Sequence, residues 1–569
     1  MKLTSIDWTI IALYMALSLM LGLYFTKRAS SSTDEYFLSG RNLPWWLAGT
    51  SMVATTFSAD TPLYVTGLVR SQGIYENWQW WCFVISGMLS VAVFAKLWKS
   101  AGVMTDVELT EMRYSGRPAS ILRGFKAIYF SVIIHTIIKA QVILAMAKIL
   151  DVSLGWSKWQ AIVISSAITI FYTIMSGYWG VIVTDFFQFI VAMFGALLIA
   201  YFAVDKVGGL NMLQPKMESL YGTNQHFTDI FPPMDAGFFS LPILTFIAYM
   251  GLSWWSKYSS DGGGVIVQRM VSCKNEKHAI GATFYFNTAN YALRSWPWIL
   301  VAIASLILYP AIKDHESVYP MMMVDLLPQG LRGLMLASFF AAFMSTLSTY
   351  LNLSSAYFIN DFYRRFVKKD KTERHYILVT RISILILSVI TAIATYYATS
   401  IVEVFKFLIA FGSGTGLVYL MRWFWWKINA WSEISAMIAS TTTSSYIYIV
   451  HPAMPFYAKL FFIIFFSTLV WVLVTLFTKP VDRKHLTEFY KKARVGGIGW
   501  REIENNIQGL NISKNNLYAS LKNWFYGCIF IYGITIGTGM FLFQRFTEGL
   551  IYSCFALISA IFVYRGFLK

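Results

Sequence analysis

Long apolar runs, following one another from end to end, constrain this chain more than any other feature. A helix that crosses a bilayer needs about 20 mainly apolar residues. Runs of that kind fall at 6–25, 44–69, 78–98, 125–150, 159–176, 181–204, 238–258, 280–312, 331–358, 377–399, 402–423, 431–450, 456–477, 525–543 and 550–564. About fifteen such spans predict an all-α polytopic membrane protein, because apolar runs of this length can satisfy their backbone in lipid only as helices. Composition agrees: 57% of the 569 residues are hydrophobic and 13% charged, too little charge to cover a soluble protein of this size. Aromatic residues make up 17%, including 21 Trp, as expected where rings line two bilayer interfaces.

The formal net charge of +17 raises the question of nucleic acid. The basic residues do not form one phosphate-tracking surface, so nucleic-acid binding is excluded. They fall in alternate loops. With the N-terminus outside, Lys27, Arg28 and Arg41 lie inside, as do Arg113, Arg117 and Arg123. So do Lys257, Arg269, Lys274 and Lys277, the run Arg364, Arg365, Lys368, Lys369, Lys371 and Arg374, and the segment 484–501. That alternation is the positive-inside pattern, and it places the C-terminus inside. The first run has Asp7 ahead of it and no small-residue cleavage site before Lys27, so it reads as a retained helix. Cys82, Cys273, Cys528 and Cys554 lie in or beside apolar spans without metal-ligand spacing, and no disulfide framework is expected.

Two spans are interrupted. The second contains Ser51-Met-Val-Ala-Thr-Thr-Phe-Ser-Ala-Asp-Thr-Pro62, where Pro62 removes a backbone donor and disfavours helix at Thr61. The seventh ends in Lys257-Tyr-Ser-Ser-Asp-Gly-Gly-Gly264. Irregular backbone at membrane depth is tolerated only where it is buried or lines a cavity. Matched breaks in two halves point to an inverted-repeat transporter.

These stretches make the chain resemble the sodium:solute symporter family, the sodium-coupled carriers of glucose, proline, iodide and sialic acid. The resemblance is carried by Asp34-Glu-Tyr-Phe-Leu-Ser-Gly-Arg-Asn-Leu-Pro-Trp-Trp46, the broken helix after it, Gly177-Tyr-Trp-Gly-Val-Ile-Val-Thr-Asp-Phe-Phe-Gln188, and Gln268-Arg269. Ala341-Ala-Phe-Met-Ser-Thr-Leu-Ser-Thr-Tyr-Leu-Asn352 and Asn360-Asp361 complete it, and the match runs from Met1 to about residue 477. It implies a LeuT-type 5+5 inverted-repeat helix bundle with extra N- and C-terminal transmembrane helices, alternating access and no covalent chemistry. The expected organisation is an extra helix and loop at 1–43, a repeat core at 44–425, additional helices at 426–478, a cytoplasmic connector at 479–523 and C-terminal helices at 524–569.

Sodium is a hard cation and takes oxygen ligands. By resemblance, a first ion is held by the carbonyls of Ala54, Phe57 and Ala342 and the hydroxyls of Ser345 and Thr346. The alternative is that both hydroxyls bond carbonyls one turn back. A second ion is implied at Asp185, Ser345, Ser348 and Thr349; the hydroxyls, at i, i+3 and i+4, share one helix face. Asp185 could instead cap a helix at the interface.

For the solute, the candidates are Asp60 and Thr61 at the break, Gln79 on the next span, Lys139 on the fourth and Arg294 on the eighth. Unpaired charge in an apolar run costs at least about 2.5–3.5 kcal/mol, so Lys139 and Arg294 should face the interior and find anionic partners. In the family's sialic acid branch a basic residue on the helix of Lys139 holds the substrate carboxylate, which makes an acidic sugar or organic anion attractive. The galactose branch argues for a neutral sugar, but this chain has glycines after Tyr258 where that branch has an asparagine and a gating tyrosine. Permanent pairing of Lys139 and Arg294 with acids is the third reading. The expected function is sodium-coupled import of a small polar solute by a monomer in the cell membrane, with sodium as co-transported ion and no cofactor. The alternatives are an amino-acid symporter and a sensor built on a transporter scaffold. The seven His are scattered, and no catalytic set is apparent.

Overall fold

A computed structural model describes residues 3–29, 33–235, 237–505 and 517–568, and so leaves 506–516 of the expected connector outside the described residues. Among the described residues all regular structure is helical. Nine helices among the described residues are long and apolar enough to cross a membrane, and a bent pair makes a tenth. The other expected spans fall on shorter, broken or more polar helices, so length and hydropathy alone count fewer crossings than the expected fifteen.

The first helix, α1 (Ser5–Ala29), lies against the bundle. Its Asp7 accepts hydrogen bonds from Gly330 N and Gly333 N, both 2.8 Å, at the start of α11 (Leu331–Val367). That carboxylate satisfies orphan amides and complements the helix dipole. Gly333 is required by the close approach, since a Cβ there would lie 2.4 Å from the Asp7 Cα.

The first repeat opens with α2 (Trp45–Thr56) and α3 (Asp60–Gln72), one span broken at 57–59. Pro62 sits in the first turn of α3, where its missing N–H would have had no helical partner anyway. Next come α4 (Ile74–Ala101) and α5 (Gly116–Leu154). Helical structure then covers the 50 residues Lys158–Val207. This stretch cannot be a straight rod. Tyr172 Oη lies 2.6 Å from Thr184 Oγ1, whereas the rise of about 1.5 Å per residue would hold those positions about 18 Å apart. The chain therefore reverses between α6 (Lys158–Ile174) and α7 (Tyr178–Val207), which answers to two expected spans.

The second repeat repeats the plan. Its α8 (Leu241–Ser256) ends at an irregular segment, 257–264, before α9 (Val265–Ser272). Gly262 and Gly264 have φ of 82° and 72°, a region an L side chain rarely adopts. Helices α10 (Glu276–Leu308), α11 and α12 (Glu373–Tyr397) follow, then α13 (Ile401–Gly412) and α14 (Gly416–Phe424), bent by 43°. The symmetry shows in local detail. The second and third spans of each half carry π-helical turns: 90–94 and 129–134 in the first, 289–293 and 357–367 in the second. Such turns often mark functional positions.

Beyond the repeats lie α15 (Ala430–Val450) and α16 (Phe456–Phe477). The connector helix α17 (Arg483–Ala493) packs on the repeat core. There the Arg113 guanidinium lies against the rings of Phe489 and Trp500, at 5.4 and 5.0 Å, and Trp500 Nε1 donates to Trp423 O at 2.8 Å. The C-terminal pair α18 (Leu517–Leu542) and α19 (Phe546–Phe567) docks on α4 and α10. Trp524 and Tyr532 donate to the carbonyls of Ile85 and Trp81, and Trp296 donates to Thr535 O.

Candidate functional site

At the break in the second span, Phe57 N donates to both Val53 O (2.7 Å) and Ala54 O (3.1 Å). The carbonyl of Thr55 instead accepts from Thr346 Oγ1 at 2.7 Å. The break thus meets α11 at the expected hydroxyl pair. Neither hydroxyl turns back on its own helix: Ser345 Oγ donates to Asp185 Oδ1 at 2.5 Å. Ala342 lies one turn earlier on α11 and is buried. Of the residues expected for a first ion, the structure thus joins Thr346 to the break and turns Ser345 toward Asp185.

Asp185 on α7 is fully buried. It accepts from the hydroxyls of Ser51 and Ser345 rather than from terminal amides, so it is not an interfacial cap. Thr349 joins the same cluster through Thr55, 3.3 Å away. Ser348 is turned differently, its hydroxyl donating to Ser345 O at 3.1 Å. Into this cluster comes a residue expected in a cytoplasmic loop. Arg269 is fully buried, with Nε donating to Ser51 Oγ (3.1 Å) and Nη2 to Thr55 Oγ1 (2.7 Å) and Thr349 Oγ1 (2.9 Å). Its Nη2 lies 3.6 Å from Asp185 Oδ2. Arg113 is likewise buried rather than looped out. An arginine one turn into an apolar helix should seek a buried acid, and that signal in α9 could have found the pair.

Beside the break lies a cavity of about 280 Å³ that reaches Thr55 and Thr346. A second, of about 180 Å³, adjoins it through shared wall residues and extends past His135 to Gly262–Gly264. Asp60, Thr61 and Arg294 line the first. Asp60 Oδ2 accepts from Gln141 Nε2 at 2.8 Å. Arg294 donates to neutral oxygens: Asn290 O (3.1 Å), Thr56 Oγ1 (3.3 Å) and Val53 O (3.4 Å). Its guanidinium rests 5.5 Å from the Trp298 ring, a packing role for that Trp.

Two expected solute ligands are corrected. Gln79 lies behind the wall, accepting from Tyr64 Oη and donating to Tyr249 Oη at 3.0 Å. Lys139 lines neither cavity, although its neighbours Ile138 and Gln141 do. It is 1% exposed, and its Nζ has no hydrogen-bond partner among the described residues. One residue of helix is a 100° turn, enough to swing it off the cavity face. The lysine in the cavity is Lys257, assigned from sequence to a basic loop; it lines both spaces, with Nζ 4.1 Å from the centre of the Phe83 ring.

A bundle with two matched broken spans, hydroxyls facing one break and a central polar cavity is the architecture of an inverted-repeat secondary transporter. The chain belongs to the sodium:solute symporter family, whose sequence profile matches residues 36–440. It is 28% identical to the sodium/glucose cotransporter 4 of Danio rerio over 75% of this chain and 69% of that protein. It is 23% identical to the sodium/glucose cotransporter of Vibrio parahaemolyticus over 84% and 92%. Its fold is that of a sodium-coupled sialic acid symporter solved in a substrate-bound, outward-open state. The TM-score is 0.70 at 22% identity, covering 84% of this chain and 99% of that one.

Proposed function

We propose that this protein is a sodium-coupled symporter that moves a small polar solute of sugar size across a cell membrane by alternating access, without covalent chemistry or a cofactor. The observation that carries the reading is the contact of Thr346 with the Thr55 carbonyl at the helix break, at the wall of the cavity lined by Asp60, Thr61 and Arg294. One sodium ion is taken at Ala54, Phe57, Ala342, Ser345 and Thr346. A second is taken at Asp185, Ser345, Ser348 and Thr349, sharing the carboxylate with Arg269. Relatives that carry glucose support a solute of that size. The basic residues that remain in alternate loops once Arg113, Lys257 and Arg269 are set aside support fifteen crossings with the N-terminus outside and the C-terminus inside, and we take the working unit to be a monomer.

The test is uptake by proteoliposomes under an inward sodium gradient, screened over sugars, uronates, sialic acids and amino acids. Ser345→Ala combined with Thr346→Val removes two oxygens and keeps the volume. Sodium-driven uptake should disappear while the protein still inserts. Uptake with unaltered sodium dependence in the double variant refutes the first site.

A further inference from the structure

The charged side chains lining the central cavity are Asp60, Lys257 and Arg294, two cations against one carboxylate. The adjoining cavity adds Lys257 again and His135, but no acid. Among the described residues, no carboxylate lies within ion-pair distance of Lys257 or Arg294, and the Lys257 ammonium faces an aromatic ring. Asp60 does not close the account. One of its oxygens is engaged by Gln141, and the other is buried without a hydrogen-bond partner among the described residues. A site of this depth with an excess positive charge is costly when empty. A sodium ion bound at the break, beside the same cavity, adds to the excess.

On the reading above, we propose that the transported solute is a carboxylate-bearing polyol of the uronate kind, and that Lys257 and Arg294 bind its carboxylate while Asp60 accepts from its hydroxyls. The solute anion cancels the surplus charge and, through space, favours sodium at the neighbouring break. Sodium and solute therefore raise each other's affinity by the same factor, as linkage requires. Lys257 is the discriminating residue, because Arg294 already has neutral oxygen partners and the Lys257 ammonium has no hydrogen bond among the described residues to give up.

The test uses matched pairs, glucose with glucuronate and galactose with galacturonate, on the full-length purified protein. Binding is read as sodium-dependent thermal stabilisation and transport as uptake into proteoliposomes. The acid of at least one pair should bind about tenfold or more tighter than its neutral partner, as expected for a lost or gained charge-assisted bond. Lys257→Met should abolish that preference, and Lys257→Arg should retain it. Sodium alone should still stabilise Lys257→Met, which shows that the variant is folded and that the symporter reading stands. Equal binding of acid and neutral sugar, preference for the neutral sugar, no stabilisation by any acid, or an unchanged preference in Lys257→Met overturns the proposal. Absence of any sodium effect on the wild-type protein instead refutes the symporter reading beneath it.

Discussion

Removing the guanidinium of Arg269 should destabilise the protein in a way that a second substitution repairs. Arg269 and Asp185 are both fully buried, 3.6 Å apart, and Ser51 bridges them, accepting from Arg269 Nε and donating to the carboxylate. Arg269→Met leaves Asp185 with hydroxyl donors only, and leaves Thr55 and Thr349 without their charged donor. Breaking a buried pair from one side costs about 3–5 kcal/mol. Ser51 and Ser345 still hold the carboxylate, so we place the single variant near the lower limit, about 3 kcal/mol. Asp185→Asn keeps the shape and leaves Arg269 its hydroxyl acceptors, so its cost should be smaller. The double variant should be more stable than the sum of the two losses predicts, with a coupling of about 2 kcal/mol. Equilibrium unfolding of the four proteins in mixed micelles without sodium measures the cycle. Additivity within about 0.5 kcal/mol would refute an energetic link between the two side chains. A transport arm separates stability from ion binding: with two ions coupled, Asp185→Asn should lower the sodium Hill coefficient from near two toward one.

Lys139→Met removes a buried ammonium that has no hydrogen-bond partner and keeps its apolar stem. It should leave solute affinity unchanged and raise stability by about 1–3 kcal/mol in an unfolding titration; a tenfold loss of affinity would restore Lys139 to the solute site. In the loop outside the spans, His226 is hydrogen-bonded by Asp229 at 2.8 Å and by Asp235 at 3.0 Å, which holds its pKa above the ordinary imidazole value. The stability this pair adds is therefore complete below that ordinary value and is lost as pH rises through the raised one. Protease protection of the loop should fall over that window, and the fall should vanish in His226→Gln; a pH-independent wild type would refute the link.

Much of the fold was legible because a bilayer imposes a length and a polarity on every crossing. Each expected apolar run coincides with a helix; the second break lies at the glycines of 257–264, whereas the first falls at 57–59, a few residues before Pro62, with Thr61 already helical. The reversal between α6 and α7 was legible as a dip between two runs. Of the hydroxyl pair expected by resemblance, Thr346 meets the break through the Thr55 carbonyl, whereas Ser345 is turned to Asp185. The charges were read less well. Lys257, Arg269 and Arg113 look like loop cations in a linear reading, because they adjoin the ends of apolar runs. Each is instead drawn inward by an aromatic ring, a carboxylate or a set of carbonyls contributed from elsewhere in the chain.

By itself, then, the sequence determined that this chain spans a membrane as helices and that two of those helices are broken. Hydropathy, proline and glycine act locally, within a turn or two of where they stand, and so can be read in order. Only the tertiary structure decided which lysine faces the cavity, that Gln79 stands behind its wall, and that Asp185 shares its cluster with Arg269. Those outcomes depend on the rotation of each helix about its axis and on the neighbour it meets. A shift of one residue turns a side chain by 100°, and the partners that fix the rotation lie tens to hundreds of residues away.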